Sequence, residues 1–509
     1  MDAETTPRHY DNPVIPGFHP DPSVCRVGED YYLVCSSFEY FPGVPLFHSR
    51  DLVRWRQIGN VLDRPSQLPL PPDASASDGI YAPTIRHHDG RFWMITTNVS
   101  QGGNFIVSAE RPEGPWSDPV WIDLPGIDPD LAWDSDGNCW CAFQGVQVAR
   151  VDPEAGKVLE GPFPAWSGTG LQWPEAPHLY RIREWWYLMI AEGGTERGHT
   201  VAMARARSPR GPWEAAPSNP ILTHRGTDHP VQSTGHADLV TTPDGEWWMV
   251  LLATRPRGYS PGFHVMGRET FLTPVRWQDG WPVVGPVNLR ERAPGRPLPV
   301  EEVPRRDDFD APLLDPRWIS PRSRPDEFWS LTARPGWLAL RASGSTLDRP
   351  GCTFIGRRQE HPASRTAVLL DPGSGRAGLS IRMDEAHHYD LEVADGQVGV
   401  IARIGPLRQR LALRSVPPGP VTLVITTGPA GERPPAEGTP TGLHVAAPDF
   451  IAFHVDGERF AELDGRYLST EVATGFTGRV IGMYATAGTA WFDWFEHSPL
   501  EGPGAPMTE

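Results

Sequence analysis

The sequence predicts an all-β protein built from a five-bladed β-propeller followed by a β-sandwich. Three observations support this prediction. The first 290 residues contain a repeated turn-plus-strand pattern, the repeat stops at a proline-rich segment, and short alternating apolar segments continue after it. The 509 residues include 52 Gly and 57 Pro, a composition that favours many turns and short strands over long helices. A chain of this length also exceeds one ordinary core, so about two domains are expected.

The repeat begins with a turn, continues with an aromatic pair or near-pair, and ends in an apolar strand. Asp-Gly before a β-rich run is a strong short-range signal for a hairpin. The five copies are GEDYYLV (28–34), DGRFWMI (89–95), DGNCWCA (136–142), REWWYLM (183–189) and DGEWWMV (244–250).

A second element accompanies the repeat. RPEGPW (111–116) recurs as SPRGPW (208–213), each time downstream of a predicted strand pair, and a related DLVRW (51–55) closes the first copy. The copies are separated by about 45 to 60 residues, the period of four-stranded propeller blades. Five copies therefore predict five blades, and a repetitive β-sandwich stays open as the alternative.

The domain boundaries follow from where the pattern changes. Residues 1–289 form the predicted propeller, and the polar, proline-rich stretch 290–305 is predicted to be a linker. Residues 306–500 show short alternating segments that predict a second β domain, most simply a sandwich, with a loop at 428–442. The tail, 501–509, is predicted to be disordered.

Charge and composition exclude several classes of function. The net charge of −17 argues against a nucleic-acid partner, because phosphate backbones are bound by clustered Lys and Arg. Five cysteines in a long chain imply no disulfide framework, and the C-x-C at Cys139 and Cys141 has no second ligand pair to make a metal site. Oligomeric state is left open, with a homo-oligomer among the outcomes.

The N-terminal residues are polar and acidic with no apolar core, so no signal peptide is expected. No run of about 18 apolar residues is present, so no membrane span or membrane partner is expected. These features predict a cytoplasmic protein.

Three acidic motifs carry the chemical information. They are GFHPDPS (17–23), GIDPD (126–130) and WPEAPH (173–178), and each sets a carboxylate among prolines and aromatics. Proline restricts its own φ and the residue before it, so these acids lie on stiff backbone. Glycosidic-bond hydrolysis needs one protonated and one ionised carboxyl group on either side of a sugar. No G-x-S-x-G elbow, Walker loop, H-E-x-x-H or paired C-x-x-C is present, which leaves carboxylate chemistry.

The chain resembles glycoside hydrolase family 43, and within it the β-xylosidases and α-L-arabinofuranosidases. The resemblance begins with NPVIPGFHPDPS (12–23) and covers the whole first domain in family order. The second domain resembles the C-terminal, concanavalin-like β-sandwich found in one branch of the family. The other matching segments are GIYAPT (79–84), GIDP (126–129), EAPHLY (175–180), AEGGT (191–195), TGHADL (234–239) and GRET (267–270).

The resemblance implies catalytic roles for three acids. Asp21 would be the general base, Glu175 the general acid, and Asp128 the residue that orients the acid and tunes its pKa. The family inverts anomeric configuration, which requires room for a water between base and sugar. Asp130, two residues past Asp128, is an extra acid that leaves open which carboxylate does the tuning.

The resemblance also implies a sugar pocket. Arg268 would reach into it, with a surface ion pair to Glu269 as the alternative, and Phe38 and Tyr81 would form its walls. His236 would bind sugar or a central calcium ion, or else be a satisfied core histidine, and no cofactor is expected to be required. In GFTG (475–478), Phe476 would close the pocket from the second domain and make the enzyme exo-acting, unless it is a core residue. Binding of polysaccharide by the sandwich stays open as the alternative.

Together these features predict an inverting exo-glycosidase that removes terminal β-D-xylose from xylooligosaccharides. Release of α-L-arabinofuranose, alone or together with xylose, is the close alternative. A non-catalytic carbohydrate-binding propeller is the alternative from a different class, and it would make the three acids dispensable. In every case the partner is an oligosaccharide.

Overall fold

The computed structural model describes residues 9–258, 261–295, 303–322, 327–429 and 449–500. The predicted tail, most of the predicted loop at 428–442 and part of the predicted linker lie outside these residues. Strands dominate the fold. In the part of the chain that is described, no helix is both long and apolar enough to cross a membrane.

The first domain is a five-bladed β-propeller, which confirms the fold class predicted from the repeats. Its blades are five four-stranded antiparallel sheets, formed by β2–β3–β5–β6, β7–β10, β11–β14, β15–β18 and β19–β22. In chain order the strands are β1 (His9–Asp11), β2 (Ser23–Val27), β3 (Asp30–Val34), β4 (Tyr40–Phe41), β5 (Gly43–Ser49), β6 (Arg56–Leu62), β7 (Thr84–His88), β8 (Arg91–Asn98), β9 (Gly103–Ala109), β10 (Val120–Trp121), β11 (Asp130–Trp133), β12 (Cys139–Phe143), β13 (Gln147–Asp152), β14 (Lys157–Pro164), β15 (Glu175–Ile182), β16 (Trp185–Glu192), β17 (Thr200–Ala206), β18 (Glu214–Ala215), β19 (Gln232–Thr241), β20 (Trp247–Thr254), β21 (Glu269–Gln278), β22 (Trp281–Val284) and β23 (Arg290–Arg292).

The sequence repeat corresponds to the second strand of every blade and the hairpin turn before it. In the second blade, Asp89 (φ 48°) and Gly90 (φ 73°) form the two-residue turn between His88 and Arg91, which are paired in register. Positive φ at both turn positions matches the right-handed twist of the flanking strands, and this is why Asp-Gly is favoured there. The aromatic residues that follow pack between blades, as Trp186 (1% exposed) and Trp248 (4% exposed) do.

The ring is closed by the N-terminal segment. β1 pairs antiparallel with β23, so the segment predicted as a linker begins as a strand of the propeller. The next residues bind the fifth blade: the Asn12 side chain donates to Leu272 O (2.9 Å) and to Asn288 O (2.9 Å), and accepts from Leu272 N (3.0 Å). A strand of three residues is too short to give a sequence signal, and it is stabilised by its pairing partner and by Tyr10, whose hydroxyl donates to Leu272 O (2.6 Å).

The second domain is a β-sandwich, as predicted. One sheet has the order β26–β27–β38–β29–β34–β35–β36 with β24 on β38, and the other has the order β28–β37–β30–β31–β32–β33. Apolar residues from both sheets form one core, in which Leu370 and Leu391 are fully buried. The strands are β24 (Arg306–Asp307), β25 (Ser320–Pro321), β26 (Trp329–Ser330), β27 (Leu338–Arg341), β28 (Thr353–Arg358), β29 (Ser364–Asp371), β30 (Arg376–Asp384), β31 (His387–Ala394), β32 (Gln397–Ile404), β33 (Leu407–Ser415), β34 (Val421–Gly428), β35 (Phe450–Val455), β36 (Glu458–Asp464), β37 (Val480–Ala487) and β38 (Thr489–Pro499), with a 3-10 helix at Gly465–Leu468 and the short helix α1 (Thr470–Ala473) before β37.

The two domains are joined by direct contacts. β25 of the sandwich pairs with β4 of the propeller. Gly267 and Gly478 come together over Phe18 so closely that a Cβ on Gly478 would lie 2.6 Å from Met266 O. His264 of the propeller also donates from its backbone N to Glu471 Oε2 (2.9 Å) in α1. The segment of the sandwich between α1 and β37 is therefore held against the propeller.

Candidate active site

The three acids lie where the central strands of different blades begin. Those strands are the first of each blade, and they contact one another around a closed ring: β2 with β7, β7 with β11, β11 with β15, β15 with β19, and β19 with β2. Asp21 lies just before β2, Asp128 just before β11, and Glu175 is the first residue of β15. The three motifs thus converge at one end of the ring.

The backbone at these positions is unusual. Asp21 (φ 56°), Asp128 (φ 55°) and Ala176 (φ 51°) adopt the left-handed conformation, which costs free energy for residues other than glycine. Ala176, which follows the predicted acid, has a backbone geometry for which glycine would be better suited. Strained backbone that the surrounding structure holds in place is characteristic of functional sites.

Asp21 is held as an ionised carboxylate. Ser36 Oγ donates to Asp21 Oδ2 (2.5 Å), and Arg268 Nη1 donates to Asp21 Oδ1 (2.9 Å). Burial alone would raise the pKa of Asp21, but the Arg268 charge, together with His236 and the Ser36 hydrogen bond, holds it below its ordinary value. A buried carboxylate that keeps its charge at neutral pH can accept a proton from water.

Glu175 has the opposite electrostatic environment. Burial, followed by the charge of Asp21, raises the pKa of Glu175 to about 7, although Arg268 opposes the shift. Burial and the charges of Glu175 and Asp21 likewise raise the pKa of Asp128 well above its ordinary value. Asp128 Oδ2 also accepts from Ala176 N (3.2 Å), which ties this carboxyl group to the backbone that carries Glu175. At mildly acidic pH the pair therefore retains a proton that Glu175 can donate.

The extra acid, Asp130, belongs to a different network. Its Oδ1 lies 2.8 Å from Arg86 Nη2, and its Oδ2 accepts from Leu179 N (2.7 Å). Arg86 also binds Asp238 (2.8 Å), which in turn accepts from Tyr180 Oη (2.6 Å). Because Ser23 Oγ donates to the same Asp238 carboxylate (2.8 Å), this buried network connects the central strands of all five blades. Asp130 thus holds the ring together beneath the site.

Arg268 lies beside Asp21 and does not pair with Glu269. Besides Asp21, its Nη1 donates to Thr195 Oγ1 (2.9 Å). Its guanidinium carbon lies 5.7 Å from the Phe38 ring centre and 5.4 Å from that of Phe476. Glu269 forms an ion pair with Arg255 instead. Arg255 Nε lies 2.7 Å from Glu269 Oε2, and Arg255 Nη2 lies 2.8 Å from Glu269 Oε1.

The three predicted aromatic residues form one cluster beside Arg268. Phe38 stacks on Phe476 with ring centres 6.0 Å apart, and Tyr81 meets Phe38 at 5.6 Å and Phe476 at 5.8 Å, edge to face. Phe476 comes from the sandwich, and its backbone N donates to Ser77 Oγ (2.9 Å) of the propeller. The second domain therefore contributes a wall to the pocket at which the acids converge.

His236 lies at the same end of the ring, with its Nδ1 3.4 Å from Asp21 Oδ1. Burial lowers the pKa of His236 to about 3, so the ring is neutral at physiological pH. Among the residues that the structure describes, no three His, Cys, Asp or Glu side chains are grouped so that they could hold a metal ion. Binding of sugar or of a calcium ion at His236 therefore stays a prediction, and no catalytic step is assigned to a metal.

Sequence reasoning missed several residues of the site. Ser36 and Thr195 contact Asp21 and Arg268 through single hydroxyl groups. Ser36 lies in no recognisable motif, and Thr195 ends the matching segment AEGGT (191–195), but the resemblance assigned no role to it. Trp173, two residues before Glu175, is 62% exposed, which is unusual for so large an apolar side chain. Its place inside an acidic motif was the one signal that could have identified it.

Comparisons with known proteins agree with this geometry. The model of glycosyl hydrolases family 43 matches residues 10–282, and that of the beta xylosidase C-terminal concanavalin A-like domain matches residues 306–498. The chain is 39% identical to a non-reducing end alpha-L-arabinofuranosidase of Bacteroides ovatus, over 97% of this chain and 95% of the relative. It is 38% identical to a xylosidase/arabinosidase of Butyrivibrio fibrisolvens, over 94% and 95% of the two chains. The solved structure of a xylan beta-1,4-xylosidase from Bacillus halodurans C-125 superposes with a TM-score of 0.86 at 34% identity, covering 96% of this chain and all of the other.

Proposed function

The chain belongs to glycosyl hydrolase family 43, and from this premise we propose that it is an inverting exo-glycosidase that releases terminal β-D-xylose from xylooligosaccharides. One observation carries the proposal. Asp21 and Glu175 are both buried at one end of the propeller ring, and their pKa values are shifted in opposite directions. A pair of carboxyl groups tuned apart in this way provides a base and an acid at the same pH.

Each carboxyl group has a defined part in the reaction. Glu175 gives its proton to the glycosidic oxygen as the bond to the anomeric carbon breaks, so the leaving sugar departs as a neutral alcohol. Asp21 takes a proton from a water that attacks the anomeric carbon from the opposite face, which inverts its configuration. Asp128 positions Glu175 through the Ala176 backbone. After product release the two carboxyl groups exchange the proton with solvent and the site returns to its starting state.

The aromatic cluster supports exo action. Phe38, Tyr81 and Phe476 stand together beside Arg268, and Phe476 comes from the second domain. A wall of this kind admits a terminal sugar and stops a chain from passing through. Apolar ring faces suit the C–H faces of a sugar, and the Arg268 guanidinium can donate to its hydroxyl groups.

The choice of sugar rests on the relatives. The Butyrivibrio fibrisolvens protein is named a xylosidase/arabinosidase, and the Bacillus halodurans structure is a xylan beta-1,4-xylosidase. The Bacteroides ovatus relative favours the second candidate, release of α-L-arabinofuranose, because that protein is named an alpha-L-arabinofuranosidase. A terminal β-xylopyranose and an α-L-arabinofuranose present similar shapes to one pocket, so activity on both is the third outcome.

Paired chromogenic substrates test the proposal. Wild-type protein and Glu175→Gln would be assayed side by side on an aryl β-D-xylopyranoside and an aryl α-L-arabinofuranoside. Xylose release that exceeds arabinose release, and that falls in the variant, supports the proposal. Faster arabinose release selects the second candidate instead.

Stereochemistry gives an independent readout. Proton NMR of the xylose first released from an aryl β-D-xylopyranoside should show the α-anomer before mutarotation. A β-anomer would contradict the inverting assignment, and no hydrolysis of any glycoside would favour a non-catalytic carbohydrate-binding propeller.

A further inference from the structure

A second cleft lies between the domains, apart from the sugar pocket. It encloses about 860 Å³, within the range typical of sites for small molecules, and none of the three acids lines it. One wall is formed by the N-terminal segment and the first blade, and the other by the sandwich around β28 and the end of β38. A ligand held there would contact both domains.

Positive charge predominates in the cleft. Five arginines and three acids line it: Arg56, Arg305, Arg317, Arg357 and Arg358 against Glu113, Asp315 and Glu360. Arg317 donates two hydrogen bonds, of 2.7 and 3.0 Å, to the Asp315 carboxylate, so these two charges neutralise each other. Glu360 lies 3.7 Å from Arg357, which leaves Arg305 and Arg358 as the arginines of the cleft that can bind an anion.

Arg358 is the clearest sign of a ligand. Its side chain is 3% exposed, and among the described residues neither Nε nor Nη2 has a hydrogen-bond partner. No carboxylate of the described residues lies within ion-pair distance of it, and the guanidinium lies 4.6 Å from the Phe18 ring centre. Arg357, its neighbour in β28, also has a buried Nε without a partner. A buried guanidinium costs free energy when its charge is not compensated. Because Arg358 lines the cleft, an acceptor from outside the chain can supply that compensation.

An anion satisfies this requirement best. A guanidinium presents a planar fork of N–H donors that matches the oxygen pairs of carboxylate and phosphate groups. Burial lowers the pKa of Arg358 to about 10, although Cys35, Tyr40 and Glu360 oppose the shift, so the side chain is still charged at neutral pH. A neutral ligand would leave that buried charge uncompensated.

We propose that the cleft between the domains is a binding site for an oxyanion, a phosphate or a sugar carboxylate, with Arg358 as its central donor and Arg305 at its exposed edge. The two sources share the same recognition chemistry, and the volume accommodates either of them. Because the anion bridges both domains, its binding stabilises the whole protein. The site does not depend on which sugar the catalytic pocket takes.

Calorimetric titration of the full chain tests the site, with inorganic phosphate in one arm and glucuronate in the other at ionic strength fixed with NaCl. We expect saturable binding of at least one probe, together with a rise in melting temperature at the same concentrations. The arm that saturates identifies the source. Excess xylose is added in a parallel titration, so that binding in the sugar pocket is recognised by competition.

Three variants make the test specific. Arg358→Gln should weaken binding by about tenfold or more, as expected for a charge-assisted bidentate contact. The Arg305 side chain is exposed, so Arg305→Gln should weaken anion binding measurably without disturbing the fold. This variant tests the site even if Arg358→Gln does not fold. Arg276→Gln on the outer part of the fifth blade is the matched control and should bind as the wild type does. No saturable binding of either probe, binding unchanged in both cleft variants, or binding abolished by xylose would overturn the proposal.

Discussion

At the scale of single residues, the site depends on the environment of two carboxyl groups. Asp21 is surrounded by donors from Ser36 and Arg268 and has a lowered pKa. Glu175 lies in the same pocket without such donors, and burial beside Asp21 raises its pKa to about 7. Because both groups are buried, the difference in pKa comes mainly from the Arg268 charge beside Asp21, with His236 and the Ser36 hydrogen bond adding to it, and from the Asp21 charge beside Glu175.

This arrangement predicts the pH profile. Glu175 must be protonated to act as the acid, so kcat/KM should fall as the pH rises through about 7. Asp21 must be ionised to act as the base, and its pKa is held below its ordinary value, so the acidic limb should appear at lower pH than an ordinary aspartate would give. Initial rates measured at low substrate concentration across pH 3 to 9 check both limbs. The residual activity of Glu175→Gln should show no alkaline limb. An alkaline limb that persists in this variant would mean that another group causes it.

A comparison of Asp128→Asn with Asp130→Asn separates the two neighbouring acids. Removing the charge of Asp128 should move the alkaline limb to lower pH, because one member of the coupled pair no longer titrates. Asp130→Asn should leave that limb in place and lower the unfolding midpoint instead, because it breaks the Arg86 contact beneath the site. The measurements are the pH profile and urea unfolding of both variants. If Asp130→Asn shifted the limb and Asp128→Asn did not, the tuning role would pass to Asp130.

The sequence could identify the acids and Arg268 because each occurs in an extended motif with prolines, glycines or aromatics around it. It assigned no role to Ser36 or Thr195, because each contributes a single hydroxyl group whose partner is known only from the fold. It also could not assign Asp128 and Asp130 to different networks. That separation depends on Arg86, which approaches from another blade.

At the scale of secondary-structure elements, five similar segments make five similar blades, but nothing in the repeat closes the ring. The closing element is the N-terminal segment, in which β1 pairs with β23 and Asn12 binds the fifth blade. The blades were predictable because each has a hairpin turn and an aromatic-rich second strand. The pairing of β1 with β23 was not predictable, because it joins two short polar segments about 280 residues apart.

Asn12→Ala should destabilise the propeller without changing its specificity. The substitution removes three side-chain hydrogen bonds and leaves the Leu272 N–H group without its partner in a buried position. We expect a loss of about 2–3 kcal/mol in the free energy of unfolding. Urea unfolding monitored by tryptophan fluorescence measures the loss, and the ratio of xyloside to arabinofuranoside hydrolysis should stay constant. Gln101→Ala, which shortens an exposed amide side chain, is the control and should leave the unfolding midpoint unchanged.

At the scale of the whole molecule, the sugar pocket belongs to both domains. The propeller supplies the acids and Arg268, and the sandwich supplies Phe476, which stacks on Phe38. The change of pattern after residue 305 predicted two domains, and the GFTG segment indicated where the second could reach the first. The close contact of Gly267, Gly478 and Phe18 could not be predicted, because a lone glycine pair carries no signal until the two backbones are seen together.

Gly478 offers a test of whether this interface matters for catalysis. A Cβ at Gly478 would lie 2.6 Å from Met266 O and 2.8 Å from Phe18 Cβ, so Gly478→Ala must push the sandwich segment away from the propeller. Phe476, two residues earlier, would move with it and open the wall beside Arg268. We expect KM for short xylooligosaccharides to rise and kcat/KM to fall by about tenfold or more, because misplacing a positioning group costs this much even far from the reacting atoms.

The control for this substitution is Gly285→Ala in the fifth blade. A Cβ there meets no atom within 4 Å, so the same change in backbone freedom comes without a steric conflict. Circular dichroism should show that both variants are folded, and the kinetics should differ only for Gly478→Ala. Unchanged kinetics in folded Gly478→Ala protein would mean that the propeller forms the sugar pocket alone. The sandwich would then contribute to stability or to the proposed anion cleft only. Its contacts with Arg268 and Phe38 would be dispensable for hydrolysis.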